Sequence, residues 1–418
     1  MTLRIAASSV LALVMVAPAV AQTYVIRNAK IVTVSGPTIP NGQILIQDGR
    51  IAAVGPNISI PRNAKVIDAK GLTAYPGLID PFSELGLAEI DSIAATQDIN
   101  ELGDLNPHLK VSSAIDPNSE HIAVSRANGI TTAVSAPRGG LFGGQAAVIN
   151  LNGWVTGEML VKDSVALVIN YPREIPLQAN ATARLRQDAE DQRKRRIELL
   201  RKTLRDAQAF AKLIDAKVET DANPVLRALI PAIKAEMPVM ITALTAQEIR
   251  EALDFADEFK LKPILVGANE AWKVADLIKN KNASVILGGV LDLPAKDADP
   301  YDANYATAAV LAKAGVKFAF TTGDSAHVRD LPFIAGMAGA FGLSKEDALK
   351  GVTLYPAEIL NLQTQLGSIS EGKLANIILA DGDPLETLTK MKYVFIAGKP
   401  IELKNRQTEL YEKYSKRP

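Results

Sequence analysis

Cysteine is absent from the 418-residue sequence, and histidine is nearly so. Without cysteine the protein has no disulfide, no thiolate nucleophile, no thiolate metal ligand and no cysteine for lipid attachment. Its histidines are His108, His121 and His327. An excess of charge is also lacking, because 46 Lys and Arg residues balance 46 Asp and Glu residues. We therefore expect no nucleic-acid partner, since domains that bind nucleic acid usually carry a basic surplus.

Long apolar runs are lacking too, apart from a short one near the amino terminus. Arg4 gives a basic start, residues 10–17 form an apolar core, and Ala19-Val20-Ala21 has the small-x-small pattern of a cleavage site. A membrane anchor is the alternative, but this core is well short of the roughly 20 apolar residues that a span needs. We predict a signal peptide cleaved after Ala21, and a periplasmic or secreted mature protein without a membrane span.

Short strand patterns are present at both ends of the chain. Asp48-Gly49 lies between two of them and suits a tight hairpin turn, because glycine accepts a positive φ. Short strands with glycine turns at both ends predict one β-sandwich assembled from both terminal segments. The patterned segments are residues 24–33, 43–47, 50–55, 366–380 and 393–401.

The middle of the chain alternates buried-strand patterns with helical ones, as a (β/α)8 barrel does. The strand patterns lie at residues 238–243, 262–267, 283–288 and 316–323, and the helical patterns at 181–217, 245–259 and 270–279. The predicted organisation is a signal peptide at 1–21, a composite β-sandwich at 22–73 plus 365–403, a barrel at 74–364 and a C-terminal tail at 404–418.

Several short motifs, in this order and spacing, resemble the amidohydrolase superfamily, and within it the imidazolonepropionase-related proteins. They are Tyr75-Pro76-Gly77-Leu78-Ile79-Asp80, Asn128-Gly129-Ile130-Thr131-Thr132, Gly143-Gly144-Gln145, Thr353-Leu354-Tyr355-Pro356-Ala357 and Gly367-Ser368-Ile369 with Gly372-Lys373. The resemblance implies an α/β fold, a distorted (β/α)8 TIM barrel with a β-sandwich built from both termini. It also implies hydrolysis of a non-peptide carbon–nitrogen bond in a small molecule such as a cyclic amide, usually with Zn²⁺ or another divalent metal.

The metal ligands that the resemblance implies are missing from this sequence. The superfamily's first strand carries two histidines spaced by one residue, and we place Pro81 and Ser83 in their positions. At the ends of strands five and six stand Thr242 and Gly267, and at the end of strand eight Gly323 precedes Asp324 by one residue. Such a site uses four histidines, whereas this chain has three at other positions. The sequence therefore predicts no metal cofactor.

Candidate site residues follow from the same strand ends. His327 follows the eighth strand and is a candidate base, with Asp324 or Asp330 orienting it; the alternative is a loop histidine bonded to nearby backbone. Residues 139–145 are glycine-rich and are interpreted as a flexible loop near the substrate. The predicted catalytic residues are Asp324 and His327, and the predicted substrate-binding residues are Ser83, Gln145, Thr242 and Arg329.

Three functional hypotheses remain open on the sequence. The preferred one is a catalytically degraded homologue that keeps a small-molecule pocket at the barrel mouth or an assembly role in the periplasm. The second is an active hydrolase with a rearranged or metal-free site around Asp324 and His327. The third is a structural or partner-binding protein, a homo-oligomer or a protein paired with an intact homologue. Fold resemblance cannot choose between them, because function belongs to the site.

Overall fold

The computed structural model describes residues 22–175 and 181–417, so the predicted signal peptide lies outside the described residues. The strands are β1 Tyr24–Ile31, β2 Ile39–Gln47, β3 Arg50–Gly55, β4 Lys65–Asp68, β5 Thr73–Pro76, β6 Leu78–Ser83, β7 Ile130–Ser135, β8 Phe142–Asn150, β9 Leu160–Asn170, β10 Val239–Ala243, β11 Pro263–Gly267, β12 Ser284–Leu287, β13 Phe318–Phe320, β14 Ile377–Ala380, β15 Met391–Ile396 and β16 Lys399–Ile401.

The helices pack mainly around the barrel strands. They are α1 Glu120–Ala127, α2 Thr156–Met159, α3 Ala183–Asp215, α4 Pro224–Ile233, α5 Ala246–Phe259, α6 Ala275–Asn280, α7 Ala303–Ala314, α8 Leu331–Ala340, α9 Lys345–Gly351, α10 Leu354–Ile359 and α11 Arg406–Tyr414. Among the described residues, no helix combines the length and the apolar character that crossing a membrane requires.

The terminal segments form one sheet, as the sequence predicts. Its strand order is β16-β15-β14-β5-β1-β2-β3, with β4 also paired to β1. The two ends of the chain meet where β14 pairs antiparallel with β5. Ile26, Ile44 and Phe395 are among the fully buried residues of its core. The β-sandwich built from both termini is therefore confirmed.

The second sheet is the barrel, with strand order β6-β7-β8-β9-β10-β11-β12-β13. Neighbouring strands are parallel except at β8, which is antiparallel to both β7 and β9. Among the described residues no backbone ladder joins β13 to β6, and side chains close this seam instead. The antiparallel strand and the side-chain seam are the two distortions of the barrel.

The barrel interior is a packed apolar core rather than a channel, as expected for this fold. Its members include Phe82, Val134, Val148, Val168, Met240, Val266, Ile286 and Ala319, one or more from each strand. Alternate residues of the same strands face the surrounding helices and belong to a separate, larger cluster. Room for chemistry is therefore left at the carboxyl ends of the parallel strands, the barrel mouth.

Three predictions about local structure need comment. The predicted helix at residues 181–217 is α3, Ala183–Asp215, and Thr182 caps it by accepting a hydrogen bond from the Leu185 N–H. The predicted helix at 270–279 is wrong as a single element, because a 3-10 turn, Ala271–Lys273, precedes the short α6. The predicted loop at 139–145 is also wrong in its second half, because β8 begins at Phe142.

Candidate functional site at the barrel mouth

Strand β6 sets which side chains reach the barrel mouth. Phe82 belongs to the interior core, whereas the buried Ser83 hydroxyl donates to the Val134 carbonyl, 3.1 Å away, on the neighbouring strand. The strand is irregular between Asp80 and Ser83, so contacts identify the next mouth residue: Glu84 pairs with Arg138, whose guanidinium lies over the Phe82 ring. The interpretation that placed Pro81 and Ser83 at the ligand positions is thus wrong by one residue, and Phe82 and Glu84 occupy them.

Asp80 closes the seam between β6 and the chain that follows β13. Its Oδ1 lies 2.6 Å from the Thr321 hydroxyl, and its Oδ2 accepts hydrogen bonds from the Thr322 hydroxyl at 2.7 Å and the Thr322 N–H at 3.2 Å. The side chain is fully buried, and burial raises the pKa of Asp80 to about 6 although these hydrogen bonds oppose the shift. The carboxyl group therefore substitutes for the missing backbone ladder.

An ion pair fills the space above Phe82. The Arg138 Nε donates to Glu84 Oε1 at 2.6 Å, and the guanidinium lies 5.0 Å above the Phe82 ring centroid. Burial raises the pKa of Glu84, the Arg138 charge opposes this, and Asp324 adds to the rise. Among the described residues, the two terminal amino groups of Arg138 have no acceptor. One of them lies near Gly323, where an added Cβ would be 3.8 Å from Nη2.

Asp324 and His327 form a hydrogen-bonded pair next to this ion pair. Strand β13 ends at Phe320, and Gly323 with φ +81° turns the chain, which returns Asp324 to the mouth. Asp324 accepts from the His327 N–H at 2.7 Å, and its Oδ2 lies 2.7 Å from His327 Nδ1. The hydrogen bond and charge of Asp324 raise the pKa of the exposed imidazole. The Glu84 N–H points to the Asp324 carbonyl at 3.4 Å.

Thr242 reaches the loop that carries Arg138. Its hydroxyl donates to Asn170 Oδ1 at 3.4 Å. The Asn170 amide donates to the carbonyls of Arg138, Gly139 and Gly140 at 2.5, 3.2 and 3.1 Å. The ends of β9 and β10 therefore hold Arg138 in place through its own backbone.

The remaining predicted substrate-binding residues are placed differently. The Gln145 amide donates to the Pro107 carbonyl at 3.0 Å and fixes the long loop after β6 against β8. The Arg329 guanidinium lies 3.8 Å from Asp330 and close enough to His327 to influence its pKa. The Ser83 hydroxyl is occupied by its hydrogen bond to the Val134 carbonyl. The structure thus brings Asp324, His327 and Thr242 to one mouth with Arg329 beside them, and the binding roles of these residues stay predictions.

Arg138 and Glu84 are the mouth residues that the sequence interpretation missed. Arg138 is a single loop arginine with no periodicity to mark it. Glu84 was hidden by the one-residue error in the strand. The available signal was the spacing of the superfamily's motif, in which the histidine pair follows the strand aspartate, here Asp80, by two and four residues.

The side chains at the mouth do not fit the divalent metal that the superfamily usually holds. Phe82, Thr242 and Gly267 provide no imidazole, and a Cβ at Gly267 would lie 2.3 Å from the Leu244 side chain. Glu84 is already neutralised by Arg138. No group of three or more His, Cys, Asp or Glu side chains suited to a metal occurs among residues 22–175 and 181–417.

Comparison with curated proteins points to one family. The sequence model of the Amidohydrolase family matches residues 271–401. An imidazolonepropionase of Geobacillus kaustophilus is 48% identical over 54 residues, which cover 11% of this chain and 13% of that protein. Amidohydrolase tasK of Hapsidospora irregularis is 22% identical over 389 residues, which cover 85% of this chain and 39% of that protein. These matches span well under two thirds of either relative.

Comparison with solved structures shows the shared fold. An amidohydrolase from Thermotoga maritima superposes with a TM-score of 0.81 at 24% identity, over 91% of this chain and 99% of that one. Phenylurea hydrolase B superposes with a TM-score of 0.58 at 19% identity, over 91% and 97%. The resemblance to the amidohydrolase superfamily indicated by the strand and loop motifs is confirmed by the family model and by the shared fold.

Proposed function

We propose that this protein has little or no metal-dependent hydrolase activity and that its barrel mouth binds a small anionic molecule. The observation that carries the proposal is the Glu84–Arg138 ion pair, which occupies the strand end where the superfamily's first metal ligands would stand. Arg138 places a positive charge at this strand end, but unlike a metal ion it offers no coordination position for a water molecule. A guanidinium does not lower the pKa of a bound water to near neutrality as a metal does.

The same guanidinium supports anion binding. Its Nε is held by Glu84 and its face by Phe82, so the two terminal amino groups are preorganised and unpaired among the described residues. Guanidinium groups bind carboxylates through two parallel hydrogen bonds, each charge-assisted. His327, whose pKa Asp324 raises, adds a second donor at the rim. Related proteins named dihydroorotase and D-hydantoinase suggest small cyclic amides, and among these the ones that carry a carboxylate.

Dihydroorotate and hydantoin form a matched pair of probes, because both are cyclic amides but only dihydroorotate carries a carboxylate. Calorimetric titration should show tighter binding of dihydroorotate. Arg138→Gln should abolish that preference with a loss of about tenfold or more, as expected for charge-assisted bonds, while the exposed Arg62→Gln serves as control. Neither ring should open faster than in buffer. Equal affinity for both probes, or metal-dependent ring opening, would contradict the proposal.

A metal-free hydrolase is the second candidate, and the Asp324–His327 contact of 2.7 Å supports it. A carboxylate that orients a histidine is the usual arrangement of a general base. Ring opening that persists with a chelator present and disappears in His327→Gln would favour this candidate. Ring opening that survives His327→Gln would exclude it.

A further inference from the structure

A cavity of about 570 Å³ lies between the barrel and the β-sandwich, away from the mouth. It is lined by α1, by the end of β8 with the turn into α2, and by β16. Because β8 runs antiparallel to its neighbours, its carboxyl end, Asn150, pairs with Thr132 near the start of β7. The cavity is therefore at the opposite end of the barrel from Glu84 and Asp324, and its volume is in the range of small-molecule sites.

Arg126 is a half-buried cation in this cavity without an adequate partner. Its one hydrogen bond is long, 3.4 Å from the terminal nitrogen to the Leu151 carbonyl, and its buried Nε has no acceptor among the described residues. Within residues 22–175 and 181–417, no carboxylate lies within ion-pair distance of the Arg126 guanidinium. Ile122 and Arg126 share one face of α1, because they are four residues apart, and Ser119, the residue before the helix, lines the same cavity. Burying unmet donors is costly, so the site favours an anion.

Asn150 adds a donor of fixed orientation. The side chain is 6% exposed, and its Oδ1 accepts hydrogen bonds from the Asn376 amide at 2.8 Å and the Thr132 hydroxyl at 3.2 Å. Asn376 is itself fixed, because its Oδ1 accepts from the Ala397 N–H at 2.7 Å. The Asn150 amide nitrogen has no acceptor among the described residues and remains available to a ligand in the cavity.

An apolar wall stands beside these donors. Trp154 is 87% exposed, while its backbone N–H is held by Glu158 at 3.0 Å. The ring is thus presented to solvent on a fixed turn, and it lines the same cavity as Pro400 and Ile401 of β16. Exposed tryptophan on an ordered segment is typical of binding sites rather than of an inert surface.

We propose that this cavity binds a small organic carboxylate with an aromatic or aliphatic body. Arg126 and Asn150 hold the carboxylate, and the body packs against Trp154. Glu402 lies on the rim within electrostatic reach of Arg126 and competes with the ligand for that charge. The site is independent of the function proposed for the barrel mouth.

The fluorescence of Trp154 can report ligand binding in the cavity, because the chain contains two tryptophans and Trp272→Phe removes the other. Phenylacetate titrated into this variant should change the fluorescence of Trp154 saturably, while neutral phenylacetamide should bind at least about tenfold more weakly. Calorimetry on the unmodified protein should give the same dissociation constant. Arg126→Gln should weaken phenylacetate binding by about tenfold or more, and the exposed Arg62→Gln should leave it unchanged.

For Glu402→Gln we expect the opposite effect on affinity. This substitution removes the competing carboxylate from the rim and should tighten phenylacetate binding. Circular dichroism checks that each variant is folded. If Arg126→Gln does not fold, the Glu402→Gln result decides, since an unchanged affinity would overturn the proposal. Absence of saturable binding up to low millimolar phenylacetate, or equal binding of phenylacetamide, would overturn it as well.

Discussion

Asp80 is the residue on which the barrel seam depends, and its titration should be visible in stability. Burial raises its pKa from 3.8 to about 6, so the folded state binds this proton more tightly than the unfolded state. The contribution of this protonation to the free energy of unfolding is therefore fully present below about pH 4 and is lost as the pH rises through about 6. From about pH 4 to pH 7 the loss should be about 2 kcal/mol.

Asp80→Asn tests this assignment, because asparagine does not titrate. Urea unfolding should be measured for both proteins at a series of pH values. As the pH rises from about 4 to 7, the free energy of unfolding of the unmodified protein should fall by about 2 kcal/mol relative to that of Asp80→Asn. Parallel stability curves for the two proteins would show that Asp80 keeps an ordinary pKa.

The one-residue register of β6 can be tested by rebuilding a zinc site. In an Arg138→Gln background, Phe82→His, Glu84→His and Thr242→His should together bind Zn²⁺ at micromolar concentration, because their side chains share the mouth with Asp324. The matched control carries Pro81→His, Ser83→His and Thr242→His in the same Arg138→Gln background. Titration against a zinc-sensitive dye compares the two folded designs. Equal or tighter binding by the control would restore the original interpretation.

Strand-end reasoning predicted some mouth residues and missed others for physical reasons. Thr242, Asp324 and His327 could be located because a parallel barrel brings the carboxyl ends of its strands to one place. Arg138 could not, because its position depends on the Asn170 amide binding the loop carbonyls around it. Such contacts join segments far apart in sequence and leave no local pattern.

Strand β8 shows how packing can override a glycine-rich loop pattern. Gly144 lies in the strand with φ +132°, and a Cβ there would be 2.8 Å from the Leu109 carbonyl of the covering loop. The glycines permit this close approach rather than flexibility. In contrast, the Asp48-Gly49 turn depends only on local conformation, both residues having positive φ as the hairpin requires, and it was predicted correctly.

Gly144→Ala should therefore destabilise the protein by about 2 kcal/mol or more through overpacking and backbone strain. Gly157→Ala in α2 is the matched control, because no atom lies within 4 Å of its added Cβ, and it should be neutral or slightly stabilising. Chemical denaturation of both variants gives the comparison. Similar effects of the two substitutions would mean that the loop over β8 is not closely packed.

The architecture of the whole molecule followed from patterns that repeat along the chain. Strand and helix alternation and glycine turns at both ends were sufficient to predict a barrel with a composite β-sandwich. The antiparallel β8 and the open seam were not predictable, because both depend on pairing between distant segments. The predicted domain boundaries, and the pairing with an intact homologue, stay predictions.

We propose export of the protein on the basis of residues 1–21. Cleavage after Ala21 should leave Gln22 as the first residue of the periplasmic or secreted product, because the Ala-x-Ala pattern follows a short apolar core. Intact mass of material from the periplasmic fraction measures this directly. An uncleaved product that sediments with membranes would contradict it.

Metal content tests most directly whether the mouth has exchanged a metal site for the Glu84–Arg138 ion pair. The mature protein, purified without chelators from cells supplied with zinc, manganese and iron, should hold well under one equivalent of these metals by elemental analysis. The physical reason is that Phe82 and Thr242 offer no imidazole and Arg138 already neutralises Glu84. One equivalent of metal per chain, lost in both Glu84→Ala and Asp324→Ala, would contradict the account.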